Sequence, residues 1–126
     1  MIAMLVNVAR CDGERELQRK EYPMPHVTNF RFKAKPGQRQ AVIDSFQRWD
    51  ETRKAKAKTT GFMRGILSSN LDDPDEFMAG VMFDTTENYN TNSNDPETGA
   101  WFQELRALLV ADPDWFNGNL EVQMTS

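Results

Sequence analysis

GFMRGILSSNLDDPDEFMAGVMFD, residues 61–84, reads as two strands joined by a polar turn. Asn70, Asp72, Asp73 and Pro74 are turn formers, so Phe62–Ser69 and Glu76–Phe83 are expected to form a hairpin whose loop exceeds two residues. The second strand, running through Phe77, Met78, Ala79, Gly80, Val81, Met82 and Phe83, has no polar face. A strand of that kind must be covered on both sides. One cover is expected from this chain's own helices and the other from a second copy of the chain.

Upstream of the hairpin, Thr28–Ala34 alternates, with Phe30, Phe32 and Ala34 on one face, as in a half-buried strand. Lys35-Pro36-Gly37 breaks it, and a helix is expected from Gln38 to about Lys58, stopped by Thr59-Thr60-Gly61. Its apolar stripe runs through Val42, Phe46, Trp49 and Arg53, widened by Ile43. Downstream, Asp84-Thr85-Thr86 caps a short helical turn through Tyr89, and Asn90–Asn94 reads as polar loop. Asp95-Pro96-Glu97 starts a second full helix: an N-cap, a proline at the first helical position and an acid in the first turn. Trp101, Phe102, Leu105, Leu108 and Leu109 form its broad apolar face, ended by Asp112-Pro113. Trp115–Met124 alternates again, with Phe116, Leu120, Val122 and Met124 in phase, and is expected to be a half-buried last strand.

The order β-α-β-β-α-β predicts an α+β, ferredoxin-like fold, a four-stranded antiparallel sheet with helices on one face. The first and third strands are then central, and the uncovered face marks an interface, met most economically by a homodimer of about 800 Å² per partner. Residues 28–126 form this domain and 1–27 an N-terminal extension. Ile2–Val8 is apolar, Asp12–Glu21 is charged or polar, and two close prolines, Pro23 and Pro25, punctuate the chain. Either Met24 is the true start, or Ile2–Val8 adds an edge strand.

With 126 residues, 39% apolar and 27% charged, the chain is a single globular domain. No apolar run approaches the roughly 20 residues that span a bilayer, and no basic flank or cleavage site marks a signal peptide. One cysteine, Cys11, makes no internal disulfide, and these features together point to the cytoplasm with no membrane partner. A net charge of −4 argues against nucleic-acid binding. The basic cluster Arg53-Lys54-Lys56-Lys58 is expected to be a solvated helix end that complements the helix dipole.

Lys35-Pro36-Gly37 before the first helix, Gly61-Phe62 opening the second strand, Asp73-Pro74-Asp75-Glu76 in the hairpin and Phe83-Asp84-Thr85-Thr86-Glu87-Asn88-Tyr89 resemble the antibiotic biosynthesis monooxygenase (ABM) type of dimeric α/β barrel. The resemblance covers Thr28 to Met124. It implies a small homodimer whose two sheets pack face to face. The family includes cofactor-independent oxygenases of polyketide-like aromatics, haem-degrading enzymes and quinol oxygenases. Its third strand commonly ends in Trp and an acid, where this chain has Phe83-Asp84. The haem-degrading branch uses an Asn on the first strand, plus a Trp and a His near the second helix. Trp101 is in the right region, but Asn29 stands one residue out of register and Glu97–Ala111 holds no histidine, so no haem is expected.

For the chemistry, the candidates are the sole histidine, His26, as a general base, Tyr89 as a donor to a phenolic or keto oxygen, and Arg106 as an enolate stabiliser. Phe46, Trp49, Phe83, Trp101 and Phe102 are expected to line a pocket for a flat aromatic ligand, with Arg64 as a charged group near it. Each has an ordinary counterpart as core or surface. The carboxylates Asp72, Asp73, Asp75 and Glu76 lack the glycine and distal glutamate of an EF-hand loop and read as a solvated turn. One His and one Cys supply too few ligands for zinc, and no GxGxxG or GxxxxGK segment is present, so neither metal nor nucleotide cofactor is expected. The resulting expectation is an ABM-like cofactor-independent monooxygenase acting on a small aromatic substrate. Its alternative is a non-catalytic small-molecule-binding homodimer of the same fold.

Overall fold

The computed structural model describes residues 24–125; the expectations for Ile2–Val8, Cys11 and the remaining leader lie outside them. Strand β1 is His26–Lys33, followed by helix α1 (Arg39–Thr60), strands β2 (Phe62–Ser69) and β3 (Glu76–Phe83), helices α2 (Thr86–Ser93) and α3 (Pro96–Ala107), and strand β4 (Asp114–Asn119). The sheet order is β2-β3-β1-β4, and every neighbouring pair is antiparallel. This is the expected α+β, ferredoxin-like arrangement, with β1 and β3 central and the sheet open at both edges.

Alternation along β1 sorts its side chains by face. His26, Thr28, Phe30 and Phe32 are buried under the helices, while Arg31 and Lys33 are exposed on the far side. Pairing carries this across the sheet, because directly opposed residues share a face: Thr28 stands beside Val81 and Asn117, and Phe30 beside Ala79 and Trp115. The core lies on the helix side, where Phe30, Phe32, Val42, Phe77, Ala79, Leu105 and Leu109 are buried together. A bulge at the start of β2 moves from Phe62, opposite Phe83, to Arg64, opposite Met82. That single extra residue puts Phe62 and Leu67 on the helix side and Arg64 on the far side.

Local chemistry sets the joints. In Lys35-Pro36-Gly37-Gln38 the Gln38 amide returns to the Lys35 carbonyl at 3.0 Å, and Gly37 takes φ +81° in a turn that wants proline then glycine. Gly61, at φ +80°, stops α1 in the left-handed conformation. Thr85 caps α2 by accepting from the Asn88 amide, and Asp95 caps α3 by accepting from the Glu97 amide at 2.8 Å.

Four expectations need correction. The turn at Tyr89 continues as helix to Ser93, because Asn92 is anchored by a distant side chain. The last strand stops at Asn119, opposite His26, with one further bond from the Leu120 amide to the Pro25 carbonyl at 2.9 Å, and Val122 and Met124 are exposed. Phe116 lies on the far face and is 66% exposed. Arg53 is not a solvated helix end: it is 1% exposed, on the stripe shared with Val42 and Trp49.

The far face of the sheet carries Ile66, Met78 and Phe116, exposed by 67%, 42% and 66%, around buried Met82. Arg31 pairs with Glu76 and Lys33 with Asp73, each at 2.9 Å, along one end of this face. The hairpin carboxylates Asp73 and Glu76 are thereby engaged by cations of the chain itself.

Candidate functional site

A cavity of about 370 Å³ opens between the helix side of the sheet and helices α1, α2 and α3. Its walls are aromatic because each element contributes residues in phase with the core. β1 and β4 supply Phe30 and Trp115, stacked with centroids 4.5 Å apart, β3 supplies Phe83, and α1 and α3 supply Phe46, Trp49, Trp101 and Phe102. Trp101 is held edge-on to Phe46 at 5.2 Å, and its ring nitrogen donates to the Ser45 carbonyl at 3.0 Å. Rings fixed in this way are a ready surface for a flat apolar ligand. A groove of about 410 Å³ between α1 and strands β2 and β3 is larger, but it spreads over edge strand β2 and has four aromatic residues, Phe46, Trp49, Phe62 and Phe77, against eight in the cavity.

The polar groups in the cavity wall are Thr28, Tyr89, Asn92, Ser93, Thr98 and Asn117. Thr28 is fully buried, and its hydroxyl donates to Asn117 Oδ1 at 2.6 Å. Behind it, Nε2 of His26 meets the same hydroxyl at 2.6 Å, while Nδ1 meets Thr86 Oγ1 at 3.0 Å. A threonine has one proton to give. With that proton on Asn117, the neutral imidazole donates from Nε2 and accepts at Nδ1 from Thr86. Reversing the chain places the acceptor at Nε2 and lets Thr28 take a proton from the cavity. Burial disfavours the imidazolium and lowers the His26 pKa below its ordinary value, partly opposed by the hydrogen bond with Asn117.

The sequence candidates separate by position. Phe46, Trp49, Phe83, Tyr89, Trp101 and Phe102 all meet at this cavity. His26 is one residue layer behind it and reaches it through Thr28. Arg64 is turned to the far face by the bulge in β2. Arg106 sits at the end of α3, where it donates to Asp112 Oδ1 at 2.6 Å and to the Leu109 carbonyl, outside the cavity wall. Asn29, opposite Gly80 and Phe116, also faces away; the cavity position on β1 belongs to Thr28.

Sequence reasoning passed over Thr28, Asn92, Asn117 and Arg53. The signal for Thr28 was present, because His26, Thr28, Phe30 and Phe32 alternate in one phase. Arg53 likewise follows Trp49 by one helical turn on the apolar stripe. Its Nη1 donates to Asn92 Oδ1, and its Nη2 pairs with Glu97 Oε1 at 3.1 Å.

No family model matches the chain, and no curated protein matches it in sequence. Solved structures do. SnoaB, a cofactor-independent oxygenase from Streptomyces nogalater, superimposes with a TM-score of 0.62 at 19% identity, covering 80% of this chain and 95% of that one. An antibiotic biosynthesis monooxygenase gives 0.63 at 11% identity, over 77% and 99% of the two chains. A conserved protein from Methanosarcina mazei Go1 gives 0.67 at 10% identity, over 81% and 98%. The chain is therefore ABM-like in fold. Identities this low establish the shared architecture and leave the reaction to be argued from the site.

Proposed function

We propose that the protein is an ABM-like, cofactor-independent monooxygenase acting on a small planar aromatic or polyketide-like molecule held in the cavity between helices and sheet. The observation that carries this reading is the convergence of aromatic rings from six elements on one cavity whose polar groups hydrogen-bond but carry no charge. A volume of about 370 Å³ suits about two or three fused rings. In such an aromatic-walled site a phenol or enol, once deprotonated, would be electron-rich enough to react with dioxygen directly. Thr28 would take the proton while passing its own to His26, whose neutral imidazole has a ring-nitrogen lone pair to receive it, and burial makes that imidazolium short-lived. Tyr89 would donate to the ligand's oxygen. The likeness to SnoaB supports this reaction class among those that the fold hosts.

The functional unit would be a homodimer joined through the far face of the sheet. Exposed Ile66, Met78 and Phe116 support this assignment, since apolar residues grouped on one sheet face mark an interface. Two sheets packed in this way would make the two-chain barrel that the resemblance implies. Light scattering tests it directly: a stable monomer at micromolar concentration would remove the dimer.

A non-catalytic binding dimer of the same fold is the second reading. It is favoured by the engagement of both His26 nitrogens with threonine hydroxyls, which satisfies the imidazole without a substrate. Oxygen uptake with anthrone- and quinol-type compounds separates the two. Consumption that depends on the protein and on Thr28 supports the oxygenase; tight binding with no uptake supports the binding dimer.

A further inference from the structure

Arg53 is buried to 1% exposure on the inner side of α1, 5.7 Å from the centre of the Trp49 ring. Burying a guanidinium is costly, and here the cost is only partly offset. Glu97 faces it, but that carboxylate is 57% exposed and shares its oxygen with Lys56 at 2.7 Å. The Nε of Arg53 has no hydrogen-bond partner. A charge held this way solely for stability would be a poor bargain, so what its one buried neutral partner does deserves an account.

That partner is Asn92, which is 6% exposed and lines the cavity. Arginine can only donate, so the amide of Asn92 must turn its oxygen to Nη1. The Thr98 hydroxyl reaches the same oxygen at 3.4 Å. The amide nitrogen is thereby directed away from both, and it makes no hydrogen bond among the described residues. Accepting from a cation also polarises the amide and strengthens its N–H groups as donors.

We propose that Arg53 is a positioning residue that fixes Asn92 as a hydrogen-bond donor, so that the cavity selects ligands presenting a carbonyl or phenolate oxygen at its α2 end. The inference deepens the proposed function and rests on its reading of the cavity. It adds what the aromatic walls alone do not provide: discrimination between an oxygenated ring system and a hydrocarbon of the same shape.

The test compares 9-fluorenone with fluorene, which differ by one carbonyl, in equilibrium dialysis against the wild-type protein and two variants. Wild type is expected to prefer the ketone about tenfold, the equivalent of about 1.4 kcal/mol. Asn92→Asp keeps an oxygen for Arg53 and presents only acceptors to the cavity. It should fold and retain fluorene affinity while losing most of the ketone preference, the remainder being what the Tyr89 hydroxyl supplies. Arg53→Met, which frees the amide to turn, should reduce the preference where the variant folds. An undiminished ketone preference in folded Asn92→Asp would overturn the assignment. Equal wild-type affinity for both probes would overturn this inference alone, whereas binding of neither would take down the reading of the cavity and the inference with it.

Discussion

The imidazole of His26 lies against the ring of Tyr89, with centroids 4.2 Å apart and planes 19° from parallel. Its two nitrogens meet Thr86 and Thr28, so one face and both polar edges of the ring are occupied while Tyr89 continues into the cavity. A neutral imidazole fits this setting and an imidazolium does not. The sign of the pH effect follows. The folded pKa lies below the unfolded value of about 6.5, so the unfolded chain binds the proton first. The contribution of His26 to stability is fully present above about pH 6.5 and is lost as pH falls through the lowered folded value. Melting temperature should therefore decline as pH falls below about 6.5, and His26→Gln should flatten that decline. Asp73 is shifted down chiefly by its hydrogen bond with Lys33, and Glu76 chiefly by that with Asn70. Their contributions are lost only at more acid pH, below about 4, which keeps the two windows apart.

Thr28 joins His26 to Asn117 through a single hydroxyl. Thr28→Val keeps the shape and leaves two polar groups facing a methyl. With Asn117 exposed to water and His26 buried, the expected destabilisation is about 1–3 kcal/mol by chemical denaturation, against less than about 1 kcal/mol for Thr28→Ser. If the hydroxyl relays the substrate proton, oxygen uptake should fall by about 10²-fold or more in the valine variant and recover in the serine variant.

The two left-handed glycines should respond differently to the same substitution. A Cβ on Gly37 meets nothing within 4 Å, so Gly37→Ala costs only the backbone strain, about 1–2 kcal/mol. A Cβ on Gly61 would stand 2.2 Å from Asp84 Oδ1 and 2.8 Å from Asn88 Nδ2, two atoms that hydrogen-bond to each other. Gly61→Ala must displace that pair as well, at about 2–4 kcal/mol in total. Paired thermal melts decide the order.

Ile66→Glu and Phe116→Glu place a charge on the far face of the sheet, where neither side chain supports the monomer core. Each should halve the mass seen by light scattering at micromolar concentration, with the circular dichroism spectrum unchanged. Retention of a dimer by both variants would move the interface elsewhere.

Local patterning made the architecture legible. The unbroken apolar run Phe77–Phe83 marked a central strand, and Asp95-Pro96 marked the start of α3. The candidate site was legible as far as its aromatic walls, because these share the periodicity of the core. Its polar part was not. Asn90–Ser93 has weak intrinsic helix propensity, and its place in α2 is supported by Arg53, 39 residues away in sequence. Arg53 carries two sequence signals, the phase of Val42 and Trp49 and the charge of its lysine neighbours, and in the fold the phase prevails: it is 1% exposed. Leu120–Met124 alternates as a strand does, but alternation does not fix where a ladder ends, and the ladder with β1 ends at the His26–Asn119 pair.

Helix α2 contributes one aromatic side chain, Tyr89, and no aliphatic one, and its sole buried residue is Asn92. It is fastened to the rest of the domain at three points, Thr86 and Tyr89 on His26, Tyr89 against Phe83, and Asn92 on Arg53, rather than by a buried apolar face. Segments secured in this way open at low cost while the rest of a domain stays folded. The wall that carries the ligand-facing amide is thus also the wall most easily lifted, and how long a ligand stays becomes a property of α2 rather than of the aromatic rings. Amides of 86–93 should exchange with solvent well before those of β1 and β3, and an occupied cavity should slow α2 selectively.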